Sequence, residues 1–478
     1  MSFLLIRISI YISPLFVFSF FDAGKGIIHP SLILILLAFA IRYIGNIRNR
    51  TGFKEIVDLK DPSLRMTFVF LFIAILSTIT SFLTPEINAV SLYKSTGVLI
   101  SLIILLGTYF FVSSFNKTPE QSKLLLHDFV TVSTIVAFSV IIEFIVFQIL
   151  NVNVFYLIID QIHSQLPYPS VPWKDVSIHD RYKGILNEPG DVGNFVVPAF
   201  SVQLNRLFSI KSLREKAKTL FLILTYVFAT TLSASIICLL LMIFIAIVIL
   251  IYRKTFISAM EFLRGMCIAS FLIFFLATIL FGFLAASRDL LHPQIISRLD
   301  DLVIFWNTKN YDNSSNMSVQ VILNSFYATS IAFNKNPIFG TGLGNFSLSY
   351  DAAATANFIE TRLNQHDGYS MFLRLLNEVG LLGLTSFAGI FLVRMSQGKN
   401  FLKYLKHRHL MSDHGINKIS YRGYYLASTE QIILVNSAAM TCLINALLNY
   451  PTYWNVTLPM LFGICYRRSY KKTLSEQT

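Results

Sequence analysis

From Thr219 to Tyr252 the chain runs for 34 residues without one charged side chain. As a single helix rising 1.5 Å per residue, that run would be about 51 Å long, against about 30 Å for the hydrocarbon core of a bilayer. Apolar runs near bilayer length recur along the chain, at 3–21, 28–46, 66–83, 92–113, 128–150, 189–208, 265–284, 369–393, 430–449 and 452–466. Hydrophobic residues make up 54% of the chain and charged residues 14%, where a soluble domain carries about 25% charged. That composition excludes a soluble enzyme and a disordered chain. The runs are too long and unbroken for the alternating strands of an outer-membrane barrel. The expectation is an all-α, polytopic membrane protein.

Charge decides how the 34-residue run is used. The flank 206–218 carries five basic residues and 253–264 carries three. If both flanks lie on the cytoplasmic side, the run must cross twice and turn near Thr230–Ser235, giving spans 218–231 and 234–252. The total is then about 12 transmembrane helices with both termini cytoplasmic. In that topology the inside loops hold 27 of the 39 Lys and Arg residues, the outside segments 11, and Arg7 lies within the first span. This is the bias of the positive-inside rule. It accounts for the net charge of +13 without a nucleic-acid partner. The first span has no small-residue cleavage site and reads as a retained anchor. Residues 1–284 form helices 1–9 with an external loop at 151–188. Residues 285–368 form a large external loop before helix 10. Residues 369–478 supply helices 10–12 with a cytoplasmic loop at 394–429.

The two external loops carry the chemistry-bearing residues. The first ends in His179-Asp180-Arg181-Tyr182-Lys183-Gly184, followed by Asn187-Glu188-Pro189-Gly190-Asp191. Proline suits the first position of a helix and a polar residue the cap before it, so a helix is expected to start at Pro189 with Glu188 near its cap. Two acids, Glu188 and Asp191, and two bases, Arg181 and Lys183, then sit at the lip of an apolar span. Capping alone needs fewer. The second loop is polar over 288–316, with Arg288, Arg298, Asp300 and Asp301. At 319–334 its apolar residues fall near one helical face, as in a helix lying on the membrane surface or against the bundle. Then comes Asn336-Pro337-Ile338-Phe339-Gly340-Thr341-Gly342-Leu343-Gly344-Asn345-Phe346. No strand precedes these glycines, so a sharply turned re-entrant segment is expected in place of a dinucleotide loop. The loop closes with His366-Asp367-Gly368-Tyr369-Ser370. His366, Ser370, Arg374 and Asn377 share an arc of about 80° on a helix. Such a stripe faces either a cavity or a hydrogen-bonded helix contact.

Other polar groups in the spans read structurally. Glu143 is expected to pair with another helix or to face a cavity, Arg7 to pair or snorkel, and Pro198 to kink its helix. The four cysteines, Cys238, Cys267, Cys442 and Cys465, read as packing residues without a disulfide. No Asp-x-Asp, His cluster or zinc-type spacing calls for a metal, and no cofactor is expected.

The stretch from Asn336 to Phe346 resembles the NPL-GxGxGNF signature of the O-antigen ligase and polymerase superfamily. His366-Asp367-Gly368-Tyr369, with Leu373, Glu378, Gly380 and Gly383, resembles the HNxYL…E.G..G element that follows it there. Arg181 through Pro189 is similar to the R..G.f.EP element of the polymerase branch. The ligase branch tends to carry an arginine in the turn after span seven, where this chain has Leu232-Ser233-Ala234-Ser235. The arginine that precedes the glycine motif in the family is replaced by the region Val319-Gln320-Val321.

This resemblance implies glycosyl transfer at the outer face of a bacterial inner membrane. The donor would be a growing glycan on undecaprenyl pyrophosphate, and the acceptor a single lipid-linked repeat unit. Its leaving pyrophosphate needs its developing charge stabilised, a task for which arginine is suited. The acceptor hydroxyl needs a base or an orienting acceptor. The expected catalytic residues are His366, Glu188 and Arg181. The expected substrate-binding residues are Arg298, Arg374, Lys183, Asp191 and Arg288. Membrane lipid and a chain-length regulator are candidate partners. A ligase moving polymer to lipid A core and a polysaccharide flippase are the alternatives.

Overall fold

Three of the apolar runs are entered through a proline. Pro30, Pro62 and Pro119 are each the first residue of a helix, where the missing N–H costs nothing and the fixed φ is already helical. Before Pro62, the Asp61 carboxylate accepts from Ser63 N and Ser63 Oγ at 2.9 Å each, capping that helix. The computed structural model of the chain describes residues 2–14, 30–48, 61–82, 89–116, 119–151, 182–186, 189–233, 235–251, 256–257, 259–268, 317–356, 368, 370–411, 418–449 and 457–464. The longer helices are α1 (Ser2–Ile12), α2 (Pro30–Arg48), α3 (Pro62–Phe82), α4 (Ala89–Phe115), α5 (Pro119–Leu150), α6 (Val192–Leu207), α7 (Leu213–Leu232), α8 (Ile236–Ile251), α9 (Met317–Lys335), α10 (Phe346–Thr355), α11 (Met371–Met411), α12 (Lys418–Asn449) and α13 (Thr457–Ile464). Among the described residues there is no strand.

Among the described residues, five helices are long and apolar enough to cross a membrane: Pro62–Phe82, Leu92–Phe115, Glu120–Leu150, Met371–Ser396 and Thr429–Leu448. Three more apolar helices there, at Ser2–Ile12, Pro30–Gly45 and Ile237–Ile251, are shorter. The described residues are therefore all-helical, with the helices of a membrane protein. Most of the expected ninth span, 265–284, lies outside the described residues. The 34-residue run is two helices, as its basic flanks suggested: α7 ends at Leu232, Ser233 N donates back to Ala229 O, and α8 begins at Ile236.

Two antiparallel seams organise the bundle. In the first, α3 packs along α11. Ser77 meets the Glu378 carbonyl, Phe70 meets Phe387 at 5.2 Å between ring centroids, and Asp61 meets Arg394 at 3.2 Å. The sixteen-residue step from Asp61 to Ser77 covers about 24 Å of helix rise, so polar ties close an apolar rod at both ends. In the second seam α6 packs along α12. Asn445 donates to Asn194 at 2.8 Å and Ser201 meets Thr441 at 3.2 Å. Helices in lipid gain little from burying apolar surface against each other, so small residues and hydrogen bonds hold such seams. Gly193 shows how closely α6 meets its neighbours: a Cβ there would lie 2.2 Å from Cys238 Sγ of α8 and 3.4 Å from Asn445 Oδ1 of α12.

The other intramembrane expectations sort as follows. Arg7 pairs with Asp128 of α5 through both carboxylate oxygens. Pro198 lies inside α6. Cys238 and Cys442 are buried and form no disulfide; Cys267 is exposed and so does not serve the packing role expected of it, and Cys465 lies outside the described residues.

Chain connectivity places the parts that matter at one end. The link from Asn116 to Pro119 is short, so the start of α5 lies beside the end of α4. The last turns of α3 and α5 and the first turns of α4, α6 and α11 therefore share one end of the bundle. The opposite end carries the Asp61–Arg394 pair and the cap of Arg42 on the Ser114 carbonyl that closes α4.

Candidate functional site at one end of the bundle

Helix α11 is not continuous. Gly380 has φ 66° and ψ −168°, which splits the element into two helices. This region of backbone space is essentially open to glycine alone. The glycine-rich segment 336–345 fills the break. Thr341 N donates to Asn377 O at 2.8 Å and Gly342 N to Glu378 O at 2.9 Å. In return, Leu381 N donates to Pro337 O at 3.0 Å and Leu382 N to Ile338 O at 3.2 Å. In an unbroken helix Leu381 and Leu382 would donate to Asn377 and Glu378. The segment thus replaces two helical hydrogen bonds with four of its own. Such irregular backbone is tolerated at membrane depth only where protein satisfies it.

The approach is backbone to backbone. A Cβ on Gly340 (φ 72°) would lie 2.6 Å from Asn377 O, and one on Gly380 would lie 2.3 Å from Ile338 O. Hydroxyls from the neighbouring helices hold the far side of the segment. Ser77 Oγ donates to the carbonyls of Phe339 and Glu378, and Ser95 Oγ to that of Leu343. Thr78 Oγ1 accepts from Leu343 N at 3.3 Å. The sharply turned segment expected from the glycine spacing is present, and α9 lies against the bundle, in contact with α10 and α11.

The polar stripe on α11 divides. Ser370 Oγ accepts from Leu373 N at 3.2 Å at the helix start. Asn377 is fully buried and hydrogen-bonded at both ends of its amide. Its Nδ2 donates to Ala328 O at 3.2 Å, and its Oδ1 accepts from Thr341 Oγ1 at 3.0 Å and Ser349 Oγ at 3.3 Å. Asn377 is therefore a junction between α9, α10, α11 and the glycine segment. Arg374 and Glu378 form a buried ion pair one turn apart, Nε to Oε1 at 3.1 Å. Gly368 is buried with its Cα face against the Phe346 ring.

A second group of polar contacts is the arm 182–186. Glu143, fully buried on α5, accepts from Lys183 N and Gly184 N at 2.7 Å each through one oxygen. Ser139 Oγ accepts from Ile185 N at 3.2 Å, and Leu232 O at the end of α7 accepts from Tyr182 N at 3.1 Å. The Tyr182 ring packs edge-on to Phe144 and Phe147. Glu143 thus bonds the arm, whereas the sequence pointed to pairing with another helix or to a cavity. The start expected at Pro189 is corrected: Pro189–Asp191 form a 3-10 turn, and α6 begins at Val192 with Asp191 at its cap. A glycine follows the proline, and Gly190 offers little drive to open a full turn.

Of the expected site residues, Lys183, Asp191 and Arg374 are placed, and all three are buried with polar partners. Lys183 and Asp191 belong to the arm and the start of α6; Arg374 belongs to the broken helix. Arg181, Glu188, Arg288, Arg298 and His366 lie outside the described residues. The residues that sequence reasoning missed are Ser77, Thr78, Ser81 and Ser95, whose hydroxyls or side chains cradle the glycine segment. Their signal is a Ser/Thr cluster at facing ends of two apolar runs, which is also what ordinary helix packing uses. Among the described residues no three His, Cys, Asp or Glu side chains group as a metal site would require.

The chain matches no protein-family model, and no curated protein is significantly similar to it.

Proposed function

We propose that the chain is a membrane glycosyltransferase that polymerises lipid-pyrophosphate-linked oligosaccharide repeat units at the outer face of a bacterial inner membrane. In this reading it has about twelve spans, both termini are cytoplasmic, and the glycine segment and the arm 182–186 sit at the outer end. The observation that carries the proposal is the joining of two separate motifs. The residues that resemble the superfamily at 336–346 and at 368–383 interlock into one unit, glycine against glycine at Gly340 and Gly380. A sequence resemblance made of unrelated fragments has no reason to assemble so.

The chemistry follows from charge. A departing lipid pyrophosphate develops negative charge, and guanidinium groups in a water-poor site stabilise it. Arg181, with Arg298 or Arg374, takes that role, and Lys183 and Arg288 add positive charge nearby. His366 or Glu188 accepts the proton of the attacking sugar hydroxyl or orients it. Asp191 at the cap of α6 holds the local cations in place. The buried Arg374–Glu378 pair fixes the guanidinium in direction, which is what a preorganised site needs.

A gel of surface polysaccharide from a deletion strain, with and without the gene restored, tests the reading. Loss of the ladder with single repeat units still attached to core supports it. Loss of every attached unit, with full-length polymer left on the carrier lipid, means a ligase. Repeat units trapped on the cytoplasmic side mean a transporter.

A further inference from the structure

We infer that Glu143, in the middle of an apolar helix, is a positioning residue for the transfer site and acts through Lys183. The inference rests on the function proposed above.

A fully buried carboxylate in a membrane helix is expensive unless it is well satisfied. One oxygen of Glu143 is bonded in an unusual way. Its Oε2 takes two consecutive backbone N–H groups, those of Lys183 and Gly184, at 2.7 Å each. It is a carboxyl group gripping a main-chain bend that comes from elsewhere in the sequence. Five residues from two helices converge on this bend. Glu143 and Ser139 come from α5, the Leu232 carbonyl from α7, and the Phe144 and Phe147 rings clamp Tyr182. The bend also admits no slack. Gly184 has φ 60°, and a Cβ there would lie 2.1 Å from Ser139 Oγ and 2.8 Å from Val140 N.

The grip is centred on the residue with a charge to deliver. Lys183 is itself buried, and its α-nitrogen is one of the two atoms that Glu143 holds. A loop that only closes the bundle has no need of a buried carboxyl anchor; a hydroxyl such as Ser139 suffices for Ile185. A site that must hold an ammonium to within a fraction of an ångström against an anionic lipid carrier needs a firmer grip. A side-chain carbonyl-type oxygen supplies it, because its two lone pairs can take both N–H groups at once.

The test uses the full chain reconstituted in vesicles with a lipid-pyrophosphate-linked repeat unit, following polymer formation. Glu143→Ala is expected to lower kcat on the order of a hundredfold with little change in KM, the size of effect that an ångström of misplacement produces. Glu143→Gln keeps a carbonyl oxygen facing both N–H groups and is expected to stay within about threefold of the parent, since the geometry is retained. The decisive comparison is made in the Lys183→Met background, where Glu143→Ala should cost little more. A role in general stability would cost the same in both backgrounds. Amide hydrogen exchange at 182–186 reads the anchor without any activity and should speed up in Glu143→Ala but not in Glu143→Gln. Equal losses from Glu143→Ala with and without Lys183→Met, or parental kcat in Glu143→Ala, would overturn the inference while leaving the proposed function standing. An inactive parent chain with normal exchange protection would overturn the proposed function, and the role of Glu143 with it.

Discussion

Replacing Gly380 by alanine should cost the protein about 3 kcal/mol of stability, and the structure shows two routes to that cost. If the break survives, alanine is forced into backbone space that only glycine occupies freely, at about 1–3 kcal/mol. Its Cβ must also displace the Ile338 carbonyl oxygen, which would lie only 2.3 Å away and is backbone, with no rotamer to relieve it. If instead α11 closes, Leu381 and Leu382 recover their helical acceptors, and the buried N–H groups of Thr341 and Gly342 lose theirs. Each buried donor left without a partner costs about 1–3 kcal/mol. Neither route is cheaper than about 2 kcal/mol. The assay is equilibrium unfolding in mixed micelles by titration with denaturing detergent, read by helicity. Gly97→Ala is the control: Gly97 is exposed on α4, a Cβ there meets nothing within 4 Å, and alanine in a helix is favoured by up to about 1 kcal/mol. If Gly380→Ala unfolds at the same detergent fraction as Gly97→Ala, the interlock carries no stability and the account of the broken helix is wrong.

Other outcomes follow from the same contacts. Asn377→Ala removes the partner of Ala328 O, Thr341 Oγ1 and Ser349 Oγ together and should destabilise by about 2–4 kcal/mol in the same titration. Arg394→Ala strands the Asp61 carboxylate in the bundle and should cost about 3–5 kcal/mol. Asp61→Asn in that background keeps the cap on Ser63 and should restore part of the loss, measured as a double-mutant cycle. Arg181→Ala and His366→Ala should each abolish polymer while membrane levels of the protein stay normal; normal chain formation in both would remove their assigned roles. Polymerisation should persist in excess chelator, and reversible loss would show that a divalent ion takes part.

The helical, membrane-type architecture was legible because long uncharged runs leave no other outcome. The break between α7 and α8 was legible from charge, since basic flanks on both sides of a 34-residue run call for two crossings. The sharp turns at 340–344 could be read from glycine spacing alone. The partner of those turns could not. Nothing local marks Gly380 as a break, because a lone glycine in an apolar run is tolerated in ordinary helices. Its role appears only when residues 336–345 are brought 40 positions along the chain to meet it. The same holds for Glu143. Its charge was visible in the run at 128–150, but the two amides it holds lie 40 and 41 residues away. Asn377 was grouped correctly on one face with Arg374, yet helical phase could not say that one would be a hydrogen-bonded junction and the other half of an ion pair. The start of α6 was placed too early because proline is a sound start signal and the glycine after it weakens the first turn.

The interlock also bears on how such a chain is made. Residues 371–411 can enter the bilayer as an unbroken helix, with Leu381 and Leu382 donating to Asn377 and Glu378, so no bare amide need face lipid during insertion. The glycine segment precedes this helix in synthesis. Docking then exchanges partners one for one at the two carbonyls while adding the acceptors of Pro337 and Ile338. The amides of Leu381 and Leu382 therefore have acceptors both in an unbroken helix and in the docked bundle.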